Sequence, residues 1–304
     1  MDYVLALGRD VRANCWDLAE RAGHSGPHRM QALLRSYRWS WEDGREMLPA
    51  LARQALEDDP DDETGPGIAV DETADLKRGK AAACVPPQHA GVTGRVENCV
   101  TWVFAALVTA RAQARAWFGL YMPEETWAKD PRRRETARIP EDLAFATKPE
   151  LAIAQVRKLA ALGIRFCRVA ADEVYGRSGA FRDACRALGL SCVVIIPCGY
   201  RVTLAAGTPA IRADGAIARA VSGQRSAGNG TKGPRYSGWA LFATEDPGEF
   251  LLVRHLDRDK NQYTFYLCRA AAGRPKPLSG RGRTPLAGTS PRPEPGTPCT
   301  ATPS

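Results

Sequence analysis

Short apolar runs, each stopped by a polar or turn-forming residue, set the rhythm of this chain from residue 68 onward. Ile68-Ala69-Val70, Cys99 to Ala110, Arg115 to Tyr121, Phe166 to Ala171 and Ser191 to Ile196 read as buried strands. Between them, helical spacing of apolar positions runs over Pro149 to Leu162 and Ala180 to Leu188. Strands that alternate with helices predict an α/β fold, a mixed sheet flanked by helices. Beyond Pro197 the period shortens to two. Trp239 to Thr244, Phe250 to Leu256 and Gln262 to Cys268 read as strands, with Tyr263, Phe265 and Leu267 on one face and Thr264 and Tyr266 on the other.

Residues 2 to 56 carry a different pattern. Leu5, Val11, Trp16 and Leu18 recur at helical spacing, the segment from Gly23 to Pro27 interrupts them, and Met30, Leu33, Leu34 and Tyr37 resume it. Two short helices about a Gly-containing turn describe either a helix-turn-helix or an ordinary helical hairpin. In the first case Arg29, Arg35 and Arg38 face DNA phosphates; in the second they are solvated. The acidic run Glu57 to Glu63, interrupted by Pro60 and followed by Gly65-Pro66-Gly67, reads as a solvated linker. From Gly273 to Ser304 the chain is rich in Pro, Gly, Thr and Arg, a composition that cannot bury a core. The expected division is a helical domain over 1–63, an α/β domain over 64–270 with a β-rich insertion at about 198–268, and a disordered tail over 271–304.

Composition narrows the function classes. With 304 residues, 44% of them hydrophobic, the chain can bury a sizeable core. Its formal charge of +8 fits a polyanionic partner, because cations that neutralise phosphates release condensed counterions; a codon bias toward Arg gives the same charge. Nine cysteines stand singly, with no Cys-x-x-Cys pair, which predicts reduced thiols rather than a disulfide framework. His24 and His28 are separated by Gly26-Pro27 and read as surface residues. The start of the chain lacks a secretory pattern, and Val100 to Ala110 is too short to span a bilayer. A cytoplasmic, nucleoid-accessible location is expected.

Two acids stand out by position. Asp71 follows Ile68-Ala69-Val70 and Asp172 follows Phe166 to Ala171, so each carboxylate is expected at the end of a buried strand, a rigid mount for chemistry. Taken singly, an aspartate after a strand caps a turn more often than it holds a metal. The surrounding wording is more specific: Ala69-Val70-Asp71-Glu72-Thr73-Ala74-Asp75-Leu76-Lys77-Arg78-Gly79-Lys80, the segment Gln88 to Cys99, and Ala171-Asp172-Glu173-Val174-Tyr175-Gly176. To these add Leu120-Tyr121-Met122-Pro123 to Trp127, Ile139-Pro140-Glu141-Asp142, Phe145-Ala146-Thr147-Lys148-Pro149, and Gly228 to Arg235. Together the segments resemble the DDE transposases of bacterial insertion sequences, over most of residues 1 to 270.

The resemblance implies a ribonuclease-H-like fold, with Asp71 and Asp172 as the first and second catalytic aspartates and metal ligands. It also implies strand cleavage and transfer with two divalent ions, Mg²⁺ by its preference for oxygen ligands and Mn²⁺ as substitute. The implied partner is double-stranded DNA, as element ends and target, and by analogy the protein is a homodimer. Lys77, Arg78, Lys80 and Arg95 are placed to meet the DNA backbone, or else form a solvated basic hairpin. Strand alternation points Glu72 and Glu173 away from the two aspartates, so both are expected to be structural. Arg132-Arg133-Arg134 reads as a solvated loop.

The third acid of such enzymes sits on a late helix, where a Trp precedes paired glutamates, and nothing after Cys268 matches that pattern. Glu294 lies between two prolines that forbid a helix, and Glu245, Asp246 and Glu249 flank a turn. A frame change or truncation near Cys268 to Ala272 is therefore expected, or a programmed frameshift at the same place. The alternatives are a catalytically dead DNA-binding remnant and, last, a ribonuclease-H-like nuclease of the host.

Overall fold

The structure is a computed structural model and describes residues 14–36, 40–56, 65–77, 79, 82–91, 93–109, 111–141, 143–220, 223–230, 233–256 and 262–271. The chain forms two compact units, Met1–Met47 and Leu48–Ser304. In the first, helices α1 (Cys15–Arg21) and α2 (His28–Arg35) enclose the expected turn. The Asn14 side chain accepts the amides of Trp16 and Asp17, and Asp17 accepts the Asn14 amide, a capping box that fixes where α1 begins. Leu18, Ala19 and Met30 bury against one another. Leu5, Val11, Tyr37 and Arg38 lie outside the described residues, as do the acidic run 57–63 and the tail from 272. Helix α3 (Trp41–Leu56) crosses the point where the units divide.

The second unit is built on one large sheet: β1 (Gly67–Leu76), β2 (Pro87–Ala90), β3 (Arg95–Val108), β4 (Gln113–Leu120), β5 (Arg168–Ala171), β6 (Ser191–Ile196), β9 (Gly223–Gly230), β10 (Gly233–Ala243), β11 (Glu249–Leu256) and β12 (Tyr263–Arg269). Among the described residues the strand order is β2-β3-β1-β5-β6-β12-β11-β10-β9, and β4 pairs with β3. Strands β1, β5 and β6 are mutually parallel and their other neighbours antiparallel, so the sheet is mixed, as the alternating pattern predicts. A separate pair, β7 (Arg201–Val202) and β8 (Ile211–Arg212), precedes a 3₁₀ turn over Ala213–Arg219.

Side-chain alternation explains the layers. On β3, Val103, Ala105 and Leu107 are buried while Trp102, Phe104 and Ala106 are only partly so. Helix α5 (Lys148–Ala161) covers the sheet with Ala152, Val156 and Leu159, and α7 (Gly179–Ala187) contributes Phe181, Ala184 and Cys185. Thr147 and Glu150 exchange bonds at the start of α5 in a second capping box. Gln155, buried in the middle of α5, donates through Nε2 to the Val103 carbonyl at 3.0 Å and pins the helix to β3. Gly119 on β4 makes room, since a Cβ there would lie 3.1 Å from that same Nε2.

The short helix α6 (Glu173–Gly176) ends in a glycine for a steric reason: a Cβ on Gly176 would meet the Ile195 carbonyl oxygen at 1.8 Å. Elsewhere, a π-helical turn over Glu124–Ala128 and α4 (Pro131–Thr136) form a satellite around buried Cys84, Met122 and Trp127. Two of the three arginines expected in a solvated loop staple this satellite instead. Arg133 donates to the carbonyls of Val85 and Thr126 and lies over the Trp127 ring, and Arg134 donates to the carbonyls of Pro140, Glu141 and Leu143.

Candidate metal centre

The centre begins with a difference in strand length. β1 pairs in parallel with β5 only from Gly67 to Val70, where Ala171 ends β5, whereas its pairing with β3 continues to Leu76. Val70 stands opposite Ala171, so Asp71 and Asp172 occupy the next position on each strand, side by side at the carboxyl end of the parallel pair. Among the described residues no strand lies against the β5-facing edge of β1 beyond Val70, and side chains from both faces of β1 can bend into that corner. This explains why Glu72 enters too: oxygens of Asp71, Glu72 and Asp172 all lie within 4.8 Å of one another. Strict alternation sends Glu72 to the other face; the missing neighbour and the extra methylene of Glu bring its carboxylate back.

Asp172 is half-buried and caps α6, its Oδ1 accepting the Val174 amide at 3.0 Å. Burial, and then the nearby Glu72 carboxylate, push its pKa up to about 6 from an ordinary 3.8, with Asp71 adding to the effect against two lowering backbone bonds. Asp71 is exposed and accepts the Glu72 amide at 2.7 Å. The Lys148 ammonium, on the first residue of α5, lies 2.7 Å from Glu72 Oε1, yet off the angle a hydrogen bond needs. The Tyr175 side chain is fully buried against Phe181, and among the described residues its hydroxyl has no hydrogen-bond partner. Burial raises the Tyr175 pKa first, and the charges of Glu72, Asp172 and Asp71 raise it further, so the hydroxyl lies within electrostatic reach of all three.

Three carboxylates gathered in one corner, two of them partly buried, with an unpartnered buried hydroxyl within their electrostatic reach, fit an oxygen-preferring divalent cation. Among the described residues, neither Asp71 nor Asp172 has an ion-pair partner. Glu173, expected to be structural, pairs with Arg177 one helical turn on, and Asp75 pairs with Lys77.

The basic residues are spread more widely. Lys77 directly follows β1 and is partly committed to Asp75, while Arg95 is exposed where β3 starts, at the close of the β2–β3 hairpin formed by the Gln88 to Cys99 segment. Arg29 and Arg35 are exposed on α2, in the first unit. Arg78, Lys80 and Arg38 lie outside the described residues. Glu245 and Asp246 sit between β10 and β11 and Glu249 begins β11; none joins the acid cluster. Among the described residues no helix is long and apolar enough to cross a membrane.

Comparison with known proteins agrees with this geometry. The probable transposase for insertion sequence element IS701 of Microchaete diplosiphon is 26% identical over 189 residues, which cover 62% of this chain and 45% of that protein. The chain therefore spans less than half the length of this curated relative. Residues 2–225, which include β1, β5, α5 and α6 with their acids, match the sequence profile of the DDE superfamily endonucleases. The α/β sheet, the pair of aspartates just past the end of the β1–β5 pairing and a match over most of the chain converge on one assignment: this protein belongs to the DDE superfamily of endonucleases.

Proposed function

We propose that the chain is a transposase of a bacterial insertion sequence, acting on double-stranded DNA at element ends and target through divalent-metal phosphodiester chemistry. The observation that carries this reading is the parallel register of β1 and β5, which sets Asp71 beside Asp172 just past the carboxyl end of their pairing. In open α/β sheets that is where ligands bind.

Asp71 and Asp172 would hold Mg²⁺, or Mn²⁺ in its place. When bound, such ions supply activation of the attacking oxygen and stabilisation of the leaving oxygen. The chain's own residues do the rest: α6 fixes the Asp172 carboxylate by its cap bonds, and the β1–β3 pairing fixes Asp71. Lys77, Arg95 and the neighbouring Arg78 and Lys80 would neutralise backbone phosphates, as would Arg29, Arg35 and Arg38 on the N-terminal unit. A homodimer fits the need to hold two element ends.

The test is cleavage of a supercoiled plasmid carrying the element's ends, with the full chain and Mg²⁺ or Mn²⁺. Nicking that requires metal, and that Asp71→Asn or Asp172→Asn removes, supports the reading; nicking indifferent to both substitutions contradicts it.

A second reading rests on the change of composition after β12. From Gly273 onward the chain is rich in Pro, Gly, Thr and Arg, with Glu294 its single acid, flanked by prolines. We infer a frame change near Cys268 to Ala272, leaving DNA binding as the surviving activity. Translating all forward frames of the locus beyond the Ala272 codon decides it: a Trp-containing helix with paired glutamates in another frame supports the inference, and its absence from every frame contradicts it.

A further inference from the structure

We propose that Glu72 is the third carboxylate of the cation site and that Lys148 is its built-in counter-ion, displaced when a divalent ion binds. The inference rests on the reading of Asp71 and Asp172 as cation ligands and adds to it a residue that lies on the same strand rather than on a later helix.

Three independent features support it. The first is reach. The Glu72 carboxylate comes within 4.8 Å of both aspartates at the unpaired edge of β1, although its position in the strand alternates with that of Asp71. The second is an unpartnered group close by: among the described residues the Tyr175 hydroxyl, fully buried and within electrostatic reach of the same three acids, has no hydrogen-bond partner, while buried Glu72 Oε1 is matched by the Lys148 ammonium at 2.7 Å. Polar atoms buried without partners are rare in folded proteins, and one so close to an acid cluster marks a place where something polar binds.

The third is charge. Three carboxylates this close repel one another strongly in a half-buried corner, and a single ammonium offsets only part of that repulsion. A divalent ion among the acids offsets more, and it competes with Lys148 for Glu72. Lys148 is well placed to yield, because the ammonium ends a flexible stem while its backbone is held by the Thr147–Glu150 capping box and by Gln155 further along α5. Once displaced, the ammonium stays at the mouth of the site, where a DNA phosphate would meet it. The alternative is that Glu72 merely anchors the start of α5 by pairing with Lys148.

Calorimetric titration of the full chain with Mn²⁺ separates these cases. Glu72→Gln is expected to weaken Mn²⁺ binding by at least about tenfold, on the scale that ligand charge sets for oxygen-ligand sites. Asp71→Asn and Asp172→Asn should do the same. Lys148→Met leaves all three carboxylates in place and is expected to tighten binding several-fold. If both aspartate variants weaken binding while Glu72→Gln binds as the unmodified chain does, the third-carboxylate role is overturned and the parent reading stands. If neither aspartate variant weakens binding, the parent reading fails and this inference with it. Should Glu72→Gln fail to fold, Lys148→Met decides alone: unchanged or weaker binding overturns the competition between Lys148 and the ion.

Discussion

The two ends of the β1–β5 pair are made from the same two strands and could hardly differ more. At the amino end, Pro66, Ile164, Phe166, Leu188 and Leu190 line an open, mostly apolar pocket of about 350 Å³ that Arg165 also borders. At the carboxyl end, one or two positions past the last paired residues, three carboxylates converge within electrostatic reach of the buried, unpartnered Tyr175 hydroxyl. Strands are interchangeable scaffolds along their paired length; what stands beyond the pairing decides whether an end is lined mostly by apolar or by acidic side chains. Here β5 stops at Ala171 while β1 runs on to Leu76, and the unpaired edge admits side chains that strand geometry alone would keep apart.

If this contrast is right, substitutions at the two ends should separate function from stability. The largest effect belongs to the acid end. Asp71→Asn or Asp172→Asn is expected to lower metal-dependent strand cleavage by about 10³-fold, the scale of losing a group that stabilises transition-state charge. Gel quantification of nicked plasmid over time checks it. Next is the scaffold under that end: Gly176→Ala forces a Cβ against the Ile195 carbonyl and should destabilise by about 3 kcal/mol or more, read from denaturant unfolding.

At the amino end the expectation reverses. Leu190→Ala, on the cavity wall, should cost about 2 kcal/mol in the same unfolding assay and leave Mn²⁺ affinity unchanged. Smallest is Cys167→Ser, an exposed position on the same wall, expected to shift stability by no more than about 0.5 kcal/mol with no change in metal binding. A loss of Mn²⁺ affinity in either variant would break the separation.

Much of this was legible in sequence. The run Ser191 to Ile196 is the strand it reads as, the α5 pattern agrees to within a residue at each end, and Asp172 does follow the end of its strand, whereas Asp71 lies inside β1, which runs on to Leu76 and not just to Val70 as the apolar run suggests. Short elements escaped: β2, α4, α6 and the β7–β8 pair are too brief to show a period, and their positions are set by tertiary contacts such as the fit of Gly176 against β6. The strand character of Gly223–Gly230 was hidden by its glycine content, which weakens any strand signal. Glu72 was missed for a different reason. Alternation assumes a neighbour on each side, and no local pattern tells where a partner strand distant in sequence will stop. The arginines at 133 and 134 read as solvated because a charge run says nothing of which carbonyls lie within reach.

The central claim is that the acids are gathered for a cation at some expense to the cation-free fold. Thermal melting of the unmodified chain and of Asp172→Asn, each with EDTA and with the same Mn²⁺ concentration, near a hundredfold above the dissociation constant of the unmodified chain, tests it most directly. The account predicts that Asp172→Asn melts higher than the unmodified chain in EDTA, because one repelling charge is gone. It also predicts that Mn²⁺ stabilises the unmodified chain by about 2.7 kcal/mol and the variant by far less. Equal stabilisation of both proteins by Mn²⁺, or a variant that melts lower without metal, would contradict it.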